Sequence, residues 1–218
     1  MSIELAIEFV KALDAPERRA ELKKRGLHNG KPFTDESQIV FVLAGYARDD
    51  MLGGYKEALI AKSDAVGVKT RFIEDVVDER RDTRDGQKIY SLWDTYAHAD
   101  FVAYPSLWEG WGNQLLEAVR AKLPFMLFEY PVYTADIAPK GLRAVSLGSE
   151  VIGYDENGLA LVAPEKIEAV ADEAVEILTN GEKRNEIVEH NFKIGKKHFS
   201  MDALYIYLEQ LMQGITLT

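Results

Sequence analysis

Cysteine is absent from the 218-residue chain. That excludes disulfides, thiol nucleophiles and cysteine-ligated zinc or iron–sulfur centres, and it suits a cytoplasmic home. Histidine is scarce: His28, His98, His190 and His198 show no HExxH spacing, and a zinc site needs about three or four convergent ligands. No metal and no cofactor are expected. The opening Met1 to Val10 carries Glu4 and Glu8, and no apolar run approaches the ~20 residues that cross a bilayer. Neither a signal peptide nor a membrane span is expected. Positive charge is in deficit, with 26 Lys+Arg against 36 Asp+Glu and a net charge of −10. Such a surface repels nucleic-acid backbones and anionic lipid, so any phosphate must meet local donors.

What is present is ordinary for a folded protein: 47% hydrophobic and 28% charged residues, enough for the core of one large domain. We expect a single domain over 1–218, with 165–218 as its closing helices. Short apolar runs alternate with stretches of helical period, the pattern of an α/β fold with a Rossmann-like, doubly wound parallel sheet. The expected strands are Ile39 to Ala44, Lys69 to Ile73, Phe101 to Tyr104, Pro124 to Phe128 and Arg143 to Leu147, most of them buried on both faces. Helices are expected at Gly54 to Val66, Gln87 to Ala99, Asn113 to Lys122 and Tyr133 to Ile137, and from about Glu165 onward. Asn180-Gly181 punctuates that last region, and Ser200 is placed to cap a helix over Met201 to Gln213. That final helix carries Leu204, Ile206, Leu208, Leu211 and Met212, too apolar for a solvated end, and should dock on something. The mixed-charge run Glu74 to Lys88 reads as a loop, either a solvated connection or a lining of the ligand crevice.

The chemistry concentrates in Tyr104 to Glu117, YPSLWEGWGNQLLE. Pro105 and Ser106 stop a strand, Gly110 and Gly112 allow close backbone approach, and Asn113 can start a helix. Unpaired N–H groups at a helix start hold a diphosphate without basic side chains, which reconciles phosphate binding with an acidic chain. Glu109 would repel that phosphate, so its fitting partners are sugar hydroxyls, and Glu117 can accept both hydroxyls of a ribose. The implied ligand is a nucleotide diphosphate sugar. The plain alternatives stay open: Glu109 as a first-turn acid, Glu117 as a solvated helix position, and Trp108 and Trp111 as packing residues in preference to stacking platforms.

Phe101 to Pro124, FVAYPSLWEGWGNQLLEAVRAKLP, resembles the hallmark of the retaining GT-B glycosyltransferases of family 4, P-S-x-x-E-G-[FW]-G-x-x-x-L-E-A. Milder likeness extends over nearly the whole chain. YPVYTADIAPKG is similar to the sucrose-phosphate-synthase-like and glucosylglycerate-type members. The resemblance implies the C-terminal, donor-binding half of such an enzyme. It implies that Glu109 is the catalytic-site acid on the donor sugar, that Gly110, Trp111, Gly112 and Asn113 meet phosphates and sugar through their backbone, and that Glu117 grips the ribose. It implies configuration-retaining transfer without a metal.

A complete member has a second, N-terminal domain for the acceptor, and 218 residues are too few for both. Ile3 to Leu13 resembles the helix that follows the donor domain's first strand, so that strand is expected to be missing, with the Arg and Lys the family keeps beside it. In strand order 3-2-1-4-5-6 the first strand sits centrally. Either the strand from Ile39 and the strand from Phe101 close up, or a partner supplies the missing one. An N-terminal half or self-association is the expected partner, and catalysis by this chain alone is expected to be incomplete. Two other readings share the motif: a non-catalytic nucleotide-sugar-binding module, and an interaction protein.

Overall fold

The structure is a computed structural model that describes residues 2–44 and 53–216. Its parallel strands fall into two separate groups. In one, β1 (Val40–Leu43) pairs in parallel with β2 (Lys69–Phe72); α3 (Tyr55–Val66) lies between them in sequence and ends at the left-handed Gly67. In the other, β6 (Val102–Tyr104), β7 (Phe125–Leu127) and β8 (Val145–Ser146) run parallel in that order. The expected α/β class stands.

Strand periodicity shows how the second group is wound. On β7, Met126 joins one hydrophobic cluster while Phe125 and Leu127 join another. The first cluster is centred on α1 (Ile3–Leu13) and α6 (Pro164–Thr179), with Leu5, Phe9, Val170 and Ala174 buried in it. The second holds Leu115 and Val119 of α5 (Asn113–Arg120) with Tyr130 and Ile137. Helices therefore cover both faces, as a doubly wound sheet requires. β1 and β2 differ from expectation. Ile39, Phe41 and Phe72 pack on the first cluster, but Val40 and Val42 of the opposite face are exposed. Burial on both faces holds for β7 and fails for β1.

Among the described residues no hydrogen bond joins β1 to β6. Both lean on α1, with Phe9 stacked against Phe101 at 5.6 Å, yet each leaves one edge unpaired. The expectation that these strands close up is overturned: α1, buried along most of its length, packs against α3 and β6 alike.

Two local expectations are corrected, and the short helix expected at Tyr133 to Ile137 is present. Glu74 to Lys88 is no loop: it holds β3 (Val77–Asp78) and β4 (Asp82–Arg84), which flank β5 (Gln87–Ser91) in a small sheet. Asp85 and Gly86 both have positive φ, 49° and 81°, the geometry of a type I′ hairpin turn for which Asp-Gly is the signature. The charge run becomes cross-strand and flanking pairs, Arg84 with Asp78 and Asp82, and Arg81 with Asp94. The helix expected over Gln87 to Ala99 begins only at α4 (Leu92–His98), because Gln87–Ile89 pairs with β4 and Tyr90–Ser91 with β3. Asp94 then accepts the Ser91 N–H at 2.8 Å and fixes the helix start. Tyr133–Ile137 forms a π-helical turn followed by a 3-10 turn, Ala138–Lys140, closed at Gly141. The helix α2 (Pro16–Arg25) and the hairpin β9 (Gly153–Tyr154) and β10 (Ala160–Leu161) are additions.

The closing helices follow expectation. Asn180 alone separates α6 from α7 (Gly181–Phe199) and accepts the Lys183 N–H at 3.0 Å. Ser200 Oγ accepts the Ala203 N–H at 3.1 Å at the start of α8 (Met201–Thr216). Leu204, Ile206, Leu208 and Leu211 of α8 are exposed, so among the described residues most of its apolar face is uncovered. Among the described residues no helix is long and apolar enough to cross a membrane.

A buried acid fastens α1. Glu4 accepts from Tyr55 Oη at 2.6 Å and from the Ala160 N–H at 2.9 Å, while Tyr55 Oη also accepts the Ile3 N–H at 2.8 Å. Glu4→Ala strands two buried donors, and we expect a loss of about 2–4 kcal/mol in urea denaturation. A loss below about 0.5 kcal/mol would show that water replaces the carboxylate.

Candidate functional site

The site is built where β6 runs into α5. Tyr104 closes the strand in the core, and Pro105 and Ser106 are buried behind it. Ser106 Oγ lies 3.0 Å from Glu109 Oε1 and 3.2 Å from the Trp108 carbonyl, so one hydroxyl folds the turn back and orients the acid. Gly110 and Trp111 are exposed at the tip. Gly112 is buried with φ +84°; a Cβ there would collide with the Tyr130 hydroxyl and sit 3.1 Å from the Tyr104 hydroxyl. Glycine is needed for both the backbone angle and the close approach.

Gly112 is also the N-cap, without a side-chain bond, and Asn113 is the first helical residue. The helix thus starts at Asn113 as expected, and Glu109 lies before it, not in its first turn. The Leu115 and Leu116 N–H groups reach the Gly112 carbonyl. Among the described residues the Asn113 and Gln114 N–H groups have no acceptor, as the geometry of a helix start dictates.

Glu117 sits one turn along α5, half-buried, and accepts from Tyr96 Oη of α4 at 2.9 Å. Neither Glu109 nor Glu117 forms an ion pair among the described residues; each is met by one hydroxyl, Ser106 or Tyr96. Two carboxylates held by hydroxyls and not neutralised by cations retain acceptor capacity for further hydroxyls. The structure thus brings Glu109, Gly110, Trp111, Gly112, Asn113 and Glu117 onto one turn and the helix it opens.

The tryptophans divide. Trp108 is 76% exposed, so it is not a core residue, and packing at a domain interface is not tested by that. Trp111 is half-exposed and meets Phe199, the last residue of α7, edge-on at 5.7 Å. Tyr96, Tyr104, Tyr130 and Ser106 were not singled out from the sequence. Only Tyr104 and Ser106 fall inside the motif, and no spacing marks Tyr96 or Tyr130.

Burial raises five phenols above their ordinary range, with help from neighbouring carboxylates: Glu4 for Tyr55, Glu117 for Tyr96, Glu109 for Tyr104, Glu129 for Tyr133, and Glu109 for Tyr130, which is pushed up to about 12. A raised phenol stabilises the fold below its unfolded pKa, near 10, and that contribution is lost as pH climbs toward the folded value. We expect these five to ionise together with alkaline unfolding. Exposed tyrosines such as Tyr90, Tyr154 and Tyr205 ionise first; the later phenolate absorbance and the circular dichroism, followed from about pH 9 upward, should change in step. Ionisation of all five without unfolding would contradict the burial.

Among the described residues no group of three or more His, Asp or Glu is placed to hold a metal ion. A profile of the family described as "Glycosyl transferases group 1" matches residues 35–180, which contain the glycine turn and both acids. The chain belongs to the group 1 glycosyltransferases. Two curated relatives are mannosylglucosylglycerate synthases: that of Thermotoga maritima is 37% identical over 93% of this chain, and that of Petrotoga mobilis 36% identical over 92%. The chain spans 44% of the length of each. In fold it is similar to WaaG, a glycosyltransferase involved in lipopolysaccharide biosynthesis, with a TM-score of 0.51 and 17% identity over 92% of this chain and 40% of that one. This group 1 glycosyltransferase chain therefore has the GT-B type of fold expected from Phe101 to Pro124.

Proposed function

We propose that the chain is the donor half of a glycosyltransferase: it binds a nucleotide diphosphate sugar at the glycine turn for transfer with retained anomeric configuration. The observation that supports this most is the pair of acids on either side of the turn, each oriented by a hydroxyl and neither spent on a cation. The Asn113 and Gln114 N–H groups and the positive end of α5 take the diphosphate, and no metal is required. Glu117 accepts the ribose hydroxyls. Glu109 accepts from the donor sugar and, as charge develops on the ring during departure of the diphosphate, stabilises it electrostatically.

The acceptor site belongs to a partner N-terminal half, consistent with a chain covering 44% of its relatives. The unpaired edges of β1 and β6 and the apolar face of α8 are the surfaces offered to such a half, or to a second copy. We place the reaction in the cytoplasm, and by kinship with the two named synthases we assign a saccharide acceptor. Calorimetric titration with UDP, GDP and ADP tests the reading. Saturable binding of one of them is expected, with turnover appearing only when an N-terminal half is added. Binding without turnover under that addition would leave a nucleotide-sugar-binding module, and no binding at all would sink the donor assignment.

A further inference from the structure

Beyond the Trp108 side of the turn lies a separate cleft of about 620 Å³, lined by residues that follow β6, β7 and β8 and by Tyr154 of β9. None of Glu109 to Glu117 lines it. Its volume falls in the range of small-ligand sites, and its position at the carboxyl ends of parallel strands is where such folds bind ligands.

The lining has one chemical character. Trp108 and Tyr154 are 76% and 63% exposed, which leaves two aromatic side chains available at the cleft. Glu129 is the one charged residue in the described lining; Thr134 and Ser149 add hydroxyls. Glu129 is held in place: Ser146 Oγ donates to its Oε1 at 2.6 Å and its N–H bonds the Gly148 carbonyl at 2.8 Å. Among the described residues nothing donates to its Oε2. A lone carboxylate without a base repels phosphates and acids. Aromatic faces offer a surface to C–H groups, and hydroxyls with an oriented carboxylate serve a ligand rich in O–H donors.

From this we infer that the cleft is a subsite for an uncharged sugar ring, stacked on Trp108 and Tyr154 and hydrogen-bonded to Glu129. Its role, a contact that supplements the acceptor site of the N-terminal half from a point one residue before Glu109, rests on the donor reading above.

Saturation-transfer NMR on the full chain tests it, with methyl α-D-glucopyranoside and methyl α-D-mannopyranoside at tens of millimolar. At least one should show transfer, cut about fivefold or more in Trp108→Ala and in Tyr154→Ala and also weakened in Glu129→Gln, yet kept in Glu117→Ala. Both aromatic residues are exposed, so their loss leaves the fold intact, which thermal unfolding checks. Absence of transfer, transfer indifferent to Trp108 and Tyr154, transfer lost with Glu117→Ala, or displacement by choline at equal concentration would each overturn the subsite. Nucleotide binding with no sugar transfer refutes the cleft and spares the donor site. Sugar transfer at Trp108 with no nucleotide binding spares the cleft and refutes the donor site.

Discussion

Glu117→Ala is expected to weaken nucleotide diphosphate binding by about 10- to 100-fold, the value of hydrogen bonds to a charged acceptor. Its carboxylate is half-buried and oriented by Tyr96 Oη at 2.9 Å, so the acceptor is in place before a ribose arrives. Tyr96→Phe leaves the charge but frees the side chain, and ordering it on binding should cost about 2- to 10-fold in affinity. Glu117→Gln keeps the shape, loses the charge and should fall between the two. Calorimetry with the nucleotide that binds wild type gives the affinities, and thermal unfolding of each variant separates lost binding from lost fold. If Glu117→Ala stays folded and binds as wild type does, Glu117 is a structural acceptor for Tyr96 and nothing more.

Gly112→Ala is expected to cost about 2–5 kcal/mol of stability and abolish measurable nucleotide binding. A left-handed backbone costs an alanine about 1–2 kcal/mol, and the new methyl meets the Tyr130 hydroxyl within a packed core, which adds about 1–3 kcal/mol. The two contributions separate in a double mutant. Tyr130→Phe removes the atom in the way, leaving the Tyr104 hydroxyl at 3.1 Å, so Gly112→Ala should cost less in the Tyr130→Phe background. A double-mutant cycle by urea denaturation measures the coupling. An additive cycle would mean that the methyl displaces the turn and does not press on Tyr130.

The segment from Phe101 to Pro124 was legible because each step there has a local cause. Apolar alternation ends at Pro105, glycine permits a positive φ, and an amphipathic run follows, so strand, turn and helix fall within one or two residues of their observed bounds. Glu74 to Lys88 was misread because charge was weighed above turn chemistry. Asp85-Gly86 was the available signal, and the pairing of Arg84 with Asp78 and Asp82 shows charges serving strands. Gln87 to Ser91 has no periodicity that excludes helix; its pairing with β3 and β4 on either side makes it a strand. Tyr96 and Tyr130 lie 21 residues before Glu117 and 19 after Trp111, separations across which sequence carries no mark of contact. The gap between β1 and β6 was half legible: a break between them was anticipated, but the closing-up expected as one way to fill it does not occur, and the packing of α1 against α3 and β6 is a tertiary fact.

The edge-on contact of Trp111 with Phe199 gives the ligand turn a mechanical neighbour at the α7–α8 junction. Whatever settles on α8 and moves Phe199 then acts on the loop that would hold the diphosphate, and thermodynamic reciprocity requires the bound ligand to alter the grip of that visitor by the same factor. Assembly and ligand affinity would rise or fall as linked equilibria, with one aromatic pair as the hinge between them.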